Sequence, residues 1–171
     1  MKKLPFTLWL LVALFLNGCG YHLIGTGSTL PEHLKTLSIP VFTNSSTQPE
    51  IHRELTSSII NAFITDGRVK VARKGQPDMV MKGNLSHYEL KTVSFNSNNF
   101  ATGYIVILGV DVEVIDKVRN EPYLKEQHLR TEWNYTAGTD IVDLESARLA
   151  ALDEAYRVLG NRLVSLLINA F

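Results

Sequence analysis

The chain has 171 residues, with 17 Lys and Arg against 17 Asp and Glu, so its formal net charge at neutral pH is zero. That balance excludes a globally basic nucleic-acid binder, whose affinity needs a concentrated positive surface, and the length suits one domain with its own core. The only cysteine, Cys19, excludes an internal disulfide.

Lys2 and Lys3 precede an apolar run from Leu8 to Leu16, and the small residue Gly18 stands directly before Cys19. That order reads as a secretory signal peptide over residues 1–18. The rival reading, a membrane-spanning helix, needs roughly 17 to 25 apolar residues, and the run from Leu4 ends at Asn17 and Gly18. The string Leu16-Asn17-Gly18-Cys19 resembles a lipobox, in which the thiol is acylated and cleavage follows just ahead of it, although Asn17 is less usual there than Ala or Ser. Cys19 is therefore the expected lipidation site, bearing a diacylglycerol and a fatty acyl group, and no other cofactor is expected. One acyl chain holds a membrane only marginally, at about 0.8 kcal/mol per buried CH₂; the resemblance implies three chains and lasting attachment. Gly20 rather than Asp after the cysteine goes, in such lipoproteins, with sorting to the outer membrane. Cleavage removes Lys2 and Lys3, which leaves 15 Lys and Arg against 17 Asp and Glu.

Residues 19–34 hold Gly20, Gly25, Gly27, Ser28, Thr29 and Pro31 without sustained periodicity and read as a lipidated tether. Residues 35–171 read as a single α+β domain. Leu37, Ile39 and Val41 alternate with Ser38 and Pro40, giving a strand over 36–42 that Pro40 marks as an edge or an ending. Thr47-Gln48-Pro49-Glu50 has the spacing of a capping box. Ile51, Leu55, Ile59 and Phe63 then recur at helical spacing before Gly67, so residues 48–66 are expected to be an amphipathic helix. Val69 and Val71 alternate with Arg68 and Lys70 as a second strand, which completes a βαβ unit with parallel strands.

From Asp78 to Tyr135 the pattern becomes long strands with short connections, an antiparallel meander. Tyr104, Val106, Leu108, Val110, Val112 and Val114 make one apolar face of a strand over 104–115, while its other face passes from Ile105 and Ile107 to Asp111 and Glu113. The apolar part of that second face implies a covering element or, failing that, lipid or a partner. Asn96-Ser97-Asn98-Asn99, flanked by Phe95 and Phe100, forms the preceding turn. Leu149, Leu152, Tyr156, Leu159, Leu163 and Leu166 recur in three- and four-residue steps along a last helix over 142–170. The expected fold is thus a mixed sheet of four to five strands, a βαβ unit followed by a meander, with two helices on one face.

Residues for bond chemistry do not converge. His22, His33, His52, His87 and His128 fall on separate elements with no i, i+4 pair, so neither a metal site nor an enzyme is expected. His52, beside Arg53, reads as a solvated helix residue. If the second strand ends at the same edge as the Lys117-Val118-Arg119 turn, then Arg73, Lys74, Lys117 and Arg119 form a cationic cluster suited to phosphate. Strand ends are also commonly charged for solubility alone. The 96–102 end carries amides and aromatics but no cation.

Cys19-Gly20-Tyr21-His22-Leu23, Leu30-Pro31, Ile39-Pro40-Val41-Phe42-Thr43-Asn44, Leu55-Thr56, Gly67-Arg68-Val69, Gly83, Ser94-Phe95-Asn96 and Gly103-Tyr104 together resemble the lipopolysaccharide-assembly lipoproteins of the LptE family. Ile24 stands where many members have Arg. The resemblance implies a non-enzymatic outer-membrane lipoprotein on the periplasmic side that plugs the lumen of a large β-barrel, LptD, aids its assembly and meets lipopolysaccharide in transit. The Ile-Pro-Val-Phe-Thr-Asn strand, helix and Gly-Arg-Val strand also resemble the first half of curli-secretion and peptidoglycan-synthase-activator lipoproteins; the long meander favours the first family.

Overall fold

The computed structural model describes residues 30–138 and 140–169; the expected signal peptide, Cys19 and the expected tether up to residue 29 lie outside them. The elements are β1 (Thr36–Ser38), β2 (Thr43–Asn44), α1 (Ile51–Asp66), β3 (Lys70–Val71), β4 (Met79–Phe95), β5 (Ala101–Asp116), β6 (Glu121–Thr136) and α2 (Ile141–Ile168). The sheet runs β3-β1-β4-β5-β6, with β2 paired to β4. β1 is parallel to both β3 and β4, and β4, β5 and β6 are antiparallel. The expected α+β architecture is present, a βαβ unit feeding a meander.

The sheet has six strands rather than four or five because the first expected strand splits. Pro40 has no N–H for a ladder, and the Phe42 N–H goes instead to the Thr56 hydroxyl on α1, at 3.0 Å. Phe42 is 2% exposed, and an added Cβ on Gly83 would strike its ring, so the ring lies directly on the β4 backbone. Pairing resumes at Thr43 and Asn44 against Asn84 and Leu85.

The capping box does not form. Gln48, preceding a proline, is biased away from helix, and Glu50 is left-handed (φ 67°) with no side-chain cap. Asn44 organises this loop: its Oδ1 accepts from the Ser46 amide at 2.9 Å, and its Nδ2 donates to the Gln48 carbonyl at 2.8 Å. The helix therefore begins at Ile51, three residues later than expected. Its end is as expected: Gly67, at φ 73°, donates its N–H to the Phe63 carbonyl.

α2 is capped by Asp140, whose carboxylate accepts from the Val142 amide at 2.7 Å. Leu152, Tyr156, Leu159 and Leu163 of its expected stripe are buried, but Leu149 is half exposed and Leu166 is only partly buried, while Leu167 and Ile168 are fully buried. The true stripe widens to Leu159/Gly160, Leu163/Val164 and Leu167/Ile168 because α2 packs on α1 as well as on the sheet. At the helix crossing, a Cβ on Gly160 would sit 3.0 Å from the Ala62 Cβ and 3.4 Å from the Ile59 Cα. Both helices share one core with Met79, Met81 and Leu85 of β4 and Val106, Leu108, Val110, Val112 and Val114 of β5. Tyr104, at the end of that β5 face, is only partly buried and stacks on Tyr135 with ring centroids 5.2 Å apart.

Burial ends part-way along the sheet. No β4 residue beyond Leu85 is buried, and Leu90, Val93, Phe95 and, across the turn, Phe100 are 41%, 54%, 60% and 58% exposed. At the other end, Leu34 is in the core (3% exposed), and Asp78 Oδ2 accepts from the Lys35 amide, the Thr36 amide and the Thr36 hydroxyl at 2.8 to 3.0 Å.

Candidate functional site

The turn joining β5 to β6 is built on Asp116, which is 2% exposed. Its carboxylate accepts from the Val118 and Arg119 amides at 2.8 and 3.0 Å and meets His33 Nε2 at 2.7 Å. Burial works against the charge, but the His33 contact and the two amides outweigh it and hold the carboxyl below the usual carboxylate range. Asp78 is held low as well, first by the Thr36 hydroxyl and then by the Lys35 amide. The Lys117 N–H donates to the Asp78 carbonyl at 2.7 Å, which locks this turn to the start of β4.

Gly75, Gln76, Pro77, Asp78, Lys117 and Val118 line an open depression of about 480 Å³ beside the turn. Of the four expected phosphate-binding cations, only Lys117 lines it. Arg73 and Lys74 follow β3, which is parallel to β1 and, through it, to β4. β3 therefore ends pointing away from the β5–β6 turn, and the chain returns through residues 75–77. Arg119 lies 3.7 Å from Glu121 with both side chains about 60% exposed, an arrangement that contributes little. The four cations do not converge on a common pocket, because β4 starts beside the turn and runs parallel to β3 rather than antiparallel to it.

The opposite end is chemically different. Between Lys91 and Asp111 there is no charged residue. Asn96 shapes the turn: its Oδ1 accepts from the Asn98 and Phe100 amides, both at 3.0 Å, and Asn99 is left-handed (φ 62°). This arrangement presents Phe95 and Phe100 to solvent at the tip. The start of α2 also exposes Ile141 and Val142 at 82% and 75%.

On the second face of β5, Ile107 is buried and Ile105 partly so, in register with Glu89 and Glu132 and with Lys91 and Asn134 respectively. No described helix covers that face, since both helices belong to the opposite core. Among the described residues no group of three His, Cys, Asp or Glu is placed to hold a metal, and no helix is long and apolar enough to cross a membrane.

A comparison with curated proteins gives no match. Among solved structures the chain is similar to rare lipoprotein B from Shewanella oneidensis, at 16% identity and TM-score 0.54 over 80% of this chain and 96% of that one. It is similar also to a minor lipoprotein from Acinetobacter baumannii, at 13% identity and TM-score 0.52 over 80% and 92% of the two chains. Lipoprotein B from Nitrosomonas europaea, at 13% identity and TM-score 0.50, covers 82% and 92%. At such identities the likeness is one of fold. The sequence profile of a lipopolysaccharide-assembly family matches residues 34–167, from the first core residue, Leu34, to the last turn of α2. The chain belongs to that family, LptE.

Proposed function

We propose that this protein is an outer-membrane lipoprotein, anchored through Cys19, that plugs the lumen of an LptD-type β-barrel, helps that barrel assemble and assists lipopolysaccharide insertion without catalysing a reaction. The observation that carries this reading is the family match across the whole described core. The chemistry of the fold supports it. The lumen of a wide barrel is polar, and the sheet face away from the helices offers Lys82, Glu113 and Lys125 in one cross-strand row and Glu89 and Glu132 in another. The β4–β5 hairpin at the narrow end, without charge between Lys91 and Asp111 and tipped by Phe95 and Phe100, suits the apolar end of such a passage. Arg73, Lys74, Lys117 and Arg119, at the broad end, are the cations offered to lipopolysaccharide phosphates as the lipid enters.

Affinity purification of tagged full-length protein from detergent-solubilised outer membrane tests this. A large β-barrel should co-purify at one-to-one stoichiometry, and depletion of the lipoprotein should lower the amount of correctly folded barrel and raise outer-membrane permeability. Recovery of a curli channel or a peptidoglycan synthase instead would overturn the partner assignment. Fourfold substitution of the cations by Ala should weaken lipopolysaccharide binding in a salt-dependent way; unchanged binding removes them from the reading and leaves the barrel partnership standing.

A further inference from the structure

Half-way along the exposed sheet face the regular ladder is interrupted twice at one level. On β4, Leu85 pairs with Val110 and His87 with Gly109, so Ser86 is an extra residue. On β6, Leu129 pairs with Val110 and Glu126 with Val112, so two residues oppose Asp111. Bulges re-aim side chains and recur beside functional sites. The second of them puts His128 in the left-handed region, at φ 58°, with its amide donated to Asp111 Oδ1 at 2.7 Å. A non-glycine residue held there is strained, and such strain concentrates where a side chain must be presented.

Between the bulges runs the row His87–Gly109–Arg130. The central position has no side chain, and a Cβ there would fall 2.9 Å from the His87 Cβ. The result is a gap in the sheet surface of about 320 Å³, floored by Gly109 and walled by Ser86, His87, His128 and Arg130. His87, His128 and Arg130 carry N–H donors, whereas the Ser86 hydroxyl is donated to the Gly109 carbonyl at 3.3 Å and closes the floor. Two carboxylates stand near: Glu89 at 3.4 Å from His87 Nε2, and Asp111 at 3.5 Å from His128 Nδ1. Each is paired with one imidazole nitrogen, whereas the Arg130 guanidinium has no carboxylate within ion-pair distance among the described residues. A planar fork of donors with no counter-anion among the described residues, flanked by two imidazoles over a glycine floor, suits an oxyanion.

We propose that this gap is a phosphate-binding subsite, with Arg130 as its principal ligand and His87 and His128 as supporting donors. It stands apart from the Arg73, Lys74, Lys117 and Arg119 group and does not depend on that group binding anything. The same phosphate chemistry can arrive as a phosphomonoester on a glycolipid or as free inorganic phosphate.

The test uses the full mature lipoprotein in detergent micelles. Inorganic phosphate is titrated while the histidine ring resonances are followed by NMR, with His87→Gln and His128→Asn providing the assignments. Asn accepts the left-handed conformation that position 128 requires, so the bulge survives the second substitution. The expected result is a saturable shift of the His87 and His128 rings alone, weakened at least tenfold in Arg130→Gln and unchanged in Lys125→Gln, which removes a cation from the same sheet face outside the gap. Absence of saturable shifts, or equal losses in the two variants, would overturn the proposal, since the effect would then be general surface charge. Two further titrations, with micelles of a phosphorylated glycolipid and of its dephosphorylated form, decide the source. A phosphorylated glycolipid that displaces inorganic phosphate assigns the site to a lipid headgroup, and failure of both to displace it assigns the site to the free anion. Barrel co-purification with Arg130→Gln, expected at the native level, separates failure of this subsite from failure of the barrel assignment.

Discussion

Gly83→Ala is the sharpest probe of how the parallel and antiparallel halves are joined. In the interior of a strand, replacing glycine by alanine ordinarily stabilises by roughly 0.5 to 1 kcal/mol, because glycine loses more freedom on folding. Here the sign should reverse. The new Cβ would lie 2.2 to 2.3 Å from three carbons of the Phe42 ring, where carbon contacts are best at about 3.5 to 4.0 Å. The ring or the strand must move by more than about 1 Å. Phe42 has little room to do so, being 2% exposed and tied through its amide to Thr56 on α1. Overpacking of this kind costs about 1 to 3 kcal/mol, and the upper half of that range is expected, a fall in Tm of about 8 to 12 °C at roughly 4 °C per kcal/mol. The assay is equilibrium urea unfolding with thermal melts of wild type, Gly83→Ala, Phe42→Leu and the pair. The pair should lose less than the sum of the singles by at least about 1 kcal/mol, since the smaller side chain makes room for the methyl. A Gly83→Ala protein as stable as wild type, or strictly additive losses, would refute the contact.

Leu159 is fully buried at the middle of α2, and Leu159→Ala should cost about 2 to 5 kcal/mol in the same unfolding assay. Asp78 and Asp116 both have lowered folded pKa values, so the stability they contribute is present above the unfolded carboxylate value, near 3.9, and is lost as pH falls through their folded values. Wild-type stability should decline below about pH 4, and the double Asn variant should show a flatter decline there with a lower plateau at neutral pH. Metabolic palmitate labelling of Cys19→Ala should show no label and an uncleaved precursor; undiminished label would remove Cys19 as the acylation site.

The meander and the helix ending at Gly67 were legible because each rests on local chemistry: alternation of Tyr104 to Val114, and a left-handed stop that glycine fills cheaply. The start of α1 was not, because Thr47 and Glu50 satisfy the capping pattern while Pro49 and the Asn44 side chain impose a different loop. The break after Ser38 was visible as Pro40, but the return of the chain at Thr43 depends on Phe42 finding Gly83, forty-one residues away in sequence. Arg73 and Lys74 were placed by assuming that the meander alternates in direction from β3; the βαβ strands are parallel as expected, but β4 is parallel to them as well, so β3 does not run toward the edge that holds Lys117 and Arg119. His87, His128 and Arg130 carry no sequence signal as a group, since only the two bulges bring them around Gly109.

The uneven reach of the helices along the sheet divides the molecule mechanically. β4 spans 17 residues, about 55 Å at 3.3 Å per residue, yet its buried residues stop at Leu85. The broad end, with two helices and the Asp78 and Asp116 ties, should exchange its amide hydrogens only through global unfolding. The ribbon beyond Leu90 has little apolar burial to lose and should open locally at a small fraction of that free energy. A sheet built in this way acts as a stiff handle with a compliant blade: the tip can adjust its shape against a narrow surface, and the adjustment is not transmitted to the end where Leu34 enters the core.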